Sequence, residues 1–375
     1  MISISVHPVD LEQIGRNLAE LARATATEAE QQRKVDPQFV SLLRQSGVAL
    51  CAVPKSVGGS NPAPTELLDL VRTVARADAS AGWVTMIYVT SAVAAHWAPE
   101  EGLAEMFARG ADTLLAGVVA PRGQATTTSD GFQLSGRWAF GSGAADADWI
   151  GLGAVIDDDS ARTGIFYVPR KLVEILDTWD VVGLRASASH DLVVDAASVP
   201  NRRVSYLDGS PYTTESVARF PVYGLLAAGI AAVTIGVAEA ALEEGIELAG
   251  GKTPTGSKRR LADRPVFQEA VARAQAGLES SWHYLAYVAL GAATTATLAE
   301  KVRLRLAATA AVEASRHATD SIYTLAGGSS LYTRSPLQRY LRDIHTATQH
   351  MMIAQPTWEL TGRVLLGIDT DPLGL

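Results

Sequence analysis

Residues 116–150 read AGVVAPRGQATTTSDGFQLSGRWAFGSGAADADWI. Runs rich in strand-forming residues, Leu114 to Val119, Gly131 to Phe140 and Trp149 to Ile156, are broken by Pro, Gly, Asp and Ser. That punctuation predicts a compact β-domain. Within it Phe132 and Leu134 alternate with Gln133 and Ser135, as in a half-buried strand. The run from Gly136 to Gly143, GRWAFGSG, offers aromatic edges, one hydroxyl, and glycines that let backbone approach a flat ring closely. By itself a Trp/Phe pair in a strand is more often plain core.

On the N-terminal side the patterns are helical. Leu11, Ile14, Leu18, Leu21 and Ala22 recur at helical spacing. Asp36 and Pro37 fit the N-cap and first position of a further helix, which Gly47 stops. Leu67 to Arg76 is amphipathic. The stretch 79–96, ASAGWVTMIYVTSAVAAH, has no Asp, Glu, Lys or Arg, so it belongs at the centre of the helical block. His96 at its end reads alone as a satisfied core residue or a polar cap.

On the C-terminal side, Gly151 to Ile156 and Gly164 to Val168 read as strands around a solvated tip, Asp157-Asp158-Asp159-Ser160. Val181 to Ser189 is expected to begin a strand pair ending at Pro200. From Val217 the chain is expected to be helical: Gly224 to Leu248, Pro265 to Leu290, Thr294 to Leu325 ending at Gly327-Gly328, Ser335 to about Met352, and Pro356 to Leu366. The fold class is therefore α+β, divided at 1–111, 112–212 and 213–375.

Bulk properties bound the function. The chain has 375 residues, 47% of them hydrophobic and 19% charged, which suits a well-buried protein rather than a disordered one. Net charge is −8 with a pI near 5.4, so no basic footprint for nucleic acid is present. The apolar stretches read as buried helices, and neither a membrane partner nor a signal peptide is expected. Cys51 is the sole cysteine, which fits a reducing cytoplasm. HExxH, GxSxG and GxxxxGK[ST] are missing, as is a GxGxxG between a strand and a helix, which disfavours a Rossmann domain. The seven histidines show no metal-ligand spacing on a helical face, and no metal site is expected. His350 lies seven residues after Asp343, about two helical turns, so both are expected on one helical face.

Taken together these residues resemble a known superfamily. The order of helical block, β-domain and four-helix block looks like the acyl-CoA dehydrogenase fold. Val53-Pro54 with Gly58-Gly59, Gly136-Arg137-Trp138, Gly327-Gly328, and Arg339 with Arg342-Asp343 stand where that superfamily has its markers. Many of its dehydrogenases carry a glutamate base after the Arg-Asp pair. Here Thr346-Ala347-Thr348-Gln349-His350 has no carboxylate, and His350 falls near the base's place. The run Trp138-Ala139-Phe140-Gly141-Ser142-Gly143, with Gly183-Leu184-Arg185, Ser187, Ser189 and Gln349-His350, is similar to the two-component flavin monooxygenases, such as the hydroxyphenylacetate hydroxylase oxygenase component.

The resemblance implies a reduced-flavin-dependent monooxygenase with an N-terminal helical domain, a central β-barrel-like domain and a C-terminal four-helix bundle. A separate reductase would deliver reduced FAD or FMN, and O2 would form a C4a-hydroperoxide that must be kept dry. One oxygen atom would enter an aromatic or other small organic substrate. Ser142, His350 and His96 are implied as catalytic, with Ser142 near flavin N5 and the histidines on the substrate side. Trp138, Phe140, Ser142, Gly143, Arg185, Gly327, Gly328 and Arg342 are implied as flavin-binding, and a homotetramer is implied. Arg259 and Arg260, in the loop 252–264, are candidates for a flavin phosphate. Two alternatives stay open at this level: a dehydrogenase-like enzyme desaturating an acyl thioester, and a non-catalytic relative that kept the fold.

Overall fold

The computed structural model describes residues 10–158, 161–213, 215, 217–295, 297–370 and 375. Six helices come first: α1 (Leu11–Gln32), α2 (Pro37–Ser46), α3 (Val48–Cys51), α4 (Pro64–Ala77), α5 (Ala79–Ala94) and α6 (Glu100–Met106). Asp36 caps α2 by accepting from the Gln38 N–H at 2.7 Å, and Gly47 ends it in the left-handed region. Every residue of α5 except Ser91 is buried, so the uncharged stretch is an interior helix, as its composition requires.

The strands follow: β1 (Leu115–Thr128), β2 (Gly131–Trp138), β3 (Trp149–Ile156), β4 (Thr163–Pro169), β5 (Glu174–Leu176), β6 (Asp191–Pro200) and β7 (Val204–Ser205). They form one sheet in the order β5-β6-β2-β1-β3-β4-β7. β1 runs antiparallel to β2 and parallel to β3. Among the described residues this order has two ends, β5 and β7, so the pairing is that of an open sheet rather than a closed barrel. β1 continues past Val119 and across Pro121, with its register to β3 shifting between Val118 and Gly123. Proline lacks the donor a regular ladder needs, and an irregular stretch accommodates it. Two of the expected carboxylates, Asp157 and Asp158, follow β3; Asp159 and Ser160 lie outside the described residues.

The segment 181–189 is not a strand. It is an irregular connection with a single helical turn at Arg185–Ser187, and Leu184 and Ala188 both have positive φ. The strand begins only at Asp191. Side-chain and tertiary hydrogen bonds, described below, hold this segment in place of a ladder.

Five helices close the chain: α7 (Val222–Gly251), α8 (Pro265–Thr295), α9 (Leu298–Ala326), α10 (Pro336–Ala347) and α11 (Pro356–Leu365). α7, α8 and α9 pack on one another, and α10 packs on α7 and α9. By length and composition α7 could cross a membrane, but 89% of its most apolar window is buried inside the protein. Its glycines permit close contact: a Cβ on Gly229 would lie 2.5 Å from Met86 Cγ of α5, and one on Gly236 2.4 Å from the Arg72 carbonyl of α4. α10 ends at Ala347, earlier than expected, because the amides of Gln349 and His350 bond three residues back, to Thr346 and Ala347. His350 therefore sits in a turn beyond the helix, and the shared face with Asp343 does not extend to it.

Trp138 shows how the sheet is filled. Its ring is fully buried, donates to the Gly153 carbonyl at 2.7 Å, and lies over Gly123 and Gly136. A Cβ on Gly123 would stand 2.2 Å from the ring. Gly123→Ala is therefore expected to destabilise the fold by about 1–3 kcal/mol through overpacking. Gly362→Ala, in α11 with open space around it, is expected to be neutral or stabilising by up to about 1 kcal/mol. Urea unfolding of both variants checks the pair, and equal stabilities would refute the packing argument.

Candidate active site

Asp78 caps α5 by accepting from the Ala81 N–H at 2.8 Å. One turn later, Trp83 points its Nε1–H at Ser142 Oγ, 3.0 Å away. Tyr88, further along the same helix, donates to the Gly143 carbonyl at 2.9 Å. The interior helix thus grips the 140–143 turn from two places. That turn is also tied to the segment after it: Gly141 N–H donates to the His190 carbonyl, and Gly143 N–H to the Ser187 carbonyl. Ser142 Oγ lies 2.6 Å from Ser189 Oγ, which lies 2.7 Å from Ser187 Oγ.

α10 locks this arrangement from the other side. The Asp343 carboxylate accepts from the Leu184 N–H at 2.7 Å. A Cβ on Gly183 would fall 2.2 Å from the Arg342 carbonyl, so only glycine allows the helix this close. Arg342 donates to the Val182 carbonyl and to Gln338, and pairs with Glu30 at 2.6 Å. Arg185 closes its own turn on the Val181 carbonyl at 2.6 Å. Three of the seven non-glycine residues with positive φ among those described, Phe140, Leu184 and Ala188, fall in this one junction. Such strain persists only where surrounding contacts over-determine it, and it marks functional sites.

His350 reaches the junction from the turn after α10. Its ring centroid is 5.8 Å from that of Trp83, and its Nδ1 accepts from the Met352 N–H at 3.2 Å. Burial, together with the Arg305 charge, pushes its pKa down to about 4. The ring is therefore neutral at pH 7. With Nδ1 accepting, the proton sits on Nε2, which makes that nitrogen a hydrogen-bond donor. Burial and the charge of Asp78 push Asp343 the other way, up to about 7, against the Leu184 N–H and the charges of Arg339 and Arg342.

The expected site residues divide accordingly. The structure brings together Ser142, Gly143, Phe140 and His350. Phe140 is 69% exposed, with its ring edge-on to Trp179 at 6.1 Å. Arg185 and Arg342 are adjacent, but their guanidiniums hold the 181–185 turn. Trp138 is not a wall of the slot: its neighbours are the glycines of the sheet interior. His96 is not brought to His350. It is thirteen residues beyond Trp83, about 20 Å along the helix. Both its nitrogens are occupied, Nε2 by the Ala52 carbonyl and Nδ1 by Thr213, each at 2.8 Å. Burial lowers its pKa, so it reads as a neutral core histidine. Gly327 and Gly328 lie on the turn after α9, where Lys252 binds the Ala326 carbonyl and Ser329, and are not part of the Ser142 group. Arg259 does not appear in the group either, and Arg260 pairs with Asp263 at 3.0 Å. No cluster of three metal-ligating side chains occurs among the described residues.

Sequence reasoning missed Trp83 and Trp179. Trp83 was legible only as part of an apolar helix, although its indole N–H on a wholly buried helix had to find an acceptor. Trp179 donates to the Leu184 carbonyl at 3.0 Å and supports Phe140. The lining suits a flat heteroaromatic ring: a hydroxyl oxygen, a neutral imidazole, and an apolar rim of exposed Phe140, Val182 and Met351, each within two residues of the Ser142–Leu184–His350 group.

Known proteins resemble this chain along most of its length. The model of the acyl-CoA dehydrogenase C-terminal domain matches residues 228–355. Indole-3-acetate monooxygenase of Acinetobacter baumannii is 33% identical over 374 residues, covering 97% of this chain and 95% of the relative. The oxygenase component of an FADH2-dependent resorcinol hydroxylase from Rhizobium is 27% identical, covering 94% and 92%. The solved structure of XiaF from Streptomyces, in complex with FADH2 and glycerol, is similar with a TM-score of 0.90 at 26% identity, covering 97% of this chain and 96% of that one. The chain belongs to the flavin-dependent monooxygenases of the acyl-CoA dehydrogenase superfamily, and is thus an oxidoreductase.

The two shifted groups make opposite contributions to stability. His350, lowered in the folded state, stabilises above about pH 6.5, and that contribution is lost as pH falls toward 4. Asp343, raised in the folded state, contributes fully below its ordinary value near 3.8, and that is lost as pH rises through about 7. The melting temperature of the parent minus that of His350→Gln is expected to fall on acidification. The parent minus Asp343→Asn, which keeps an acceptor for Leu184, is expected to fall on alkalinisation. Differences that stay flat from pH 4 to 7.5 would refute the assignments.

Proposed function

We propose that this protein is the oxygenase component of a two-component system, using reduced FAD or FMN from a separate reductase to insert one oxygen atom of O2 into a small aromatic substrate. The observation that carries the reading is the single group formed by Ser142, Trp83 and a neutral His350 where the superfamily's dehydrogenases have a carboxylate. When bound, the reduced flavin supplies two electrons and activates dioxygen. Ser142, Phe140 and Trp179 would hold the ring. His350 would donate from Nε2 to the substrate, and its low pKa keeps it neutral across the working range. The buried α5 and the aromatic rim would exclude water.

A desaturase is less well served, because the nearby Asp343 carboxyl is spent on the Leu184 N–H. The named relatives act on indole-3-acetate and resorcinol, which supports an aromatic substrate. We further propose the division into helical (1–111), β (112–212) and helical-bundle (213–375) units, and a homotetramer. An exposed groove of about 730 Å³ between α8 and α9, with Tyr284, Tyr287 and Leu290 exposed further along α8, supports association through that face.

The test mixes the protein with photochemically reduced FMN or FAD, isotopically labelled O2, and a panel including indole-3-acetate and resorcinol. Product carrying one labelled oxygen is expected. No oxygenated product, together with flavin reoxidation unchanged from buffer, would sink the reading. His350→Ala is expected to lower product formation by about 10²–10³-fold while peroxide release from reduced flavin persists.

A further inference from the structure

The serine hydroxyls beside Trp83 have a forced order. A serine hydroxyl has one hydrogen to donate and two lone pairs. Ser187 Oγ lies 2.7 Å from the Leu184 carbonyl, which can only accept, so the Ser187 hydrogen is committed there. The 2.7 Å contact between Ser187 and Ser189 must then use the Ser189 hydrogen. The 2.6 Å contact between Ser189 and Ser142 must use the Ser142 hydrogen. Trp83 Nε1, which can only donate, takes one lone pair of Ser142. The chain runs Trp83 to Ser142 to Ser189 to Ser187 to the Leu184 carbonyl. Ser142 is left with one lone pair and no hydrogen to offer.

The chain can also run backwards when a ligand accepts, at the cost of the Ser187 bond to the Leu184 carbonyl. If Ser142 donates outward to a ligand, Ser189 donates to Ser142 and Ser187 to Ser189. Leu184 O still accepts from Trp179 Nε1 at 3.0 Å. Counting the bond to the ligand, the reversed order holds four hydrogen bonds, against five when a donating ligand meets the resting order. The resting order holds when no ligand takes the hydrogen, and it is fixed at one end by Trp83 and at the other by Leu184, which Asp343 anchors through its N–H.

We propose that this chain holds Ser142 as a hydrogen-bond acceptor at the flavin edge, and thereby selects the reduced ring over the oxidised one. The central N–H of a reduced flavin donates; the corresponding nitrogen of an oxidised flavin only accepts. The reduced ring meets the lone pair that Ser142 already offers. The oxidised ring must reverse three hydroxyls to find a donor. Ser187 and Ser189 are positioning residues in this scheme, acting through Ser142. The proposal rests on the reading that Ser142 faces the flavin.

The experiment compares dissociation constants for oxidised and anaerobically reduced FMN and FAD, followed by tryptophan fluorescence and by ultrafiltration. In Ser189→Ala the Ser142 hydrogen has no acceptor but the ligand. In Ser187→Ala the Ser189 hydrogen turns to Ser142. Both variants are expected to cut the preference for reduced flavin by about three- to tenfold, the worth of one hydrogen bond. Ser189→Thr, which keeps the hydroxyl, is expected to restore it. In a Ser142→Ala background, Ser189→Ala is expected to change the preference no further. Should Ser189→Ala fail to fold, Ser187→Ala reads the same quantity.

A general distortion of the pocket would weaken both redox forms alike. Equal weakening, or additive effects in the Ser142→Ala background, would overturn the chain while leaving the monooxygenase reading intact. If Ser142→Ala alters neither affinity, Ser142 does not face the flavin, and the chain proposal falls with that placement. If neither redox form binds the parent, both fall.

Discussion

A helix without a charge cannot be left at the surface. α5 has no charged side chain and few polar ones, so sheet and bundle both cover it, and it becomes the reference against which the rest is placed. Burial then constrains its few polar groups. An indole N–H and a phenol O–H taken out of water each need a partner, and Trp83 and Tyr88 find theirs in the 142–143 turn. The satisfaction of two core residues and the positioning of the candidate site are the same pair of hydrogen bonds.

The second constraint is the approach of α10 to the 181–187 segment. A buried carboxylate, Asp343, receives the Leu184 amide, and Gly183 allows the backbone contact. Ionising a carboxyl in such a place is costly, which is why its pKa rises. A backbone amide and the charges of Arg339 and Arg342 offset part of that cost. The arginines at 185 and 342 belong to this clamp. They show how an Arg-Asp pair on a helix can fix the backbone of the 181–184 segment.

His350 and His96 show how one residue type takes two roles. Both are pushed toward the neutral form by burial. His96 has a partner on each nitrogen and nothing left to offer. His350 uses one nitrogen to accept a backbone amide and keeps a donor on the other. Only the second can take part in chemistry on a bound molecule.

Much of the architecture was legible along the chain. Helix positions, the caps at Asp36 and Gly327, the interior nature of α5 and most strands follow from periodicity, capping chemistry and local breakers, which act over a few residues. That Ser142 and His350 come to one junction, around Trp83, was legible too, through motif resemblance. Trp138 was misplaced because a strand pattern does not say which face of a sheet is filled by glycines on its neighbours. His96 was grouped with His350 because sequence carries no distance between a helix end and a distant turn. The early end of α10, the open sheet, the irregular 181–189 segment and the direction of the serine chain were decided by tertiary structure alone. The last two depend on donors and acceptors that meet across more than forty residues of chain, Asp343 with Leu184, Trp83 with Ser142 and Ser142 with Ser189, and local sequence does not encode those meetings.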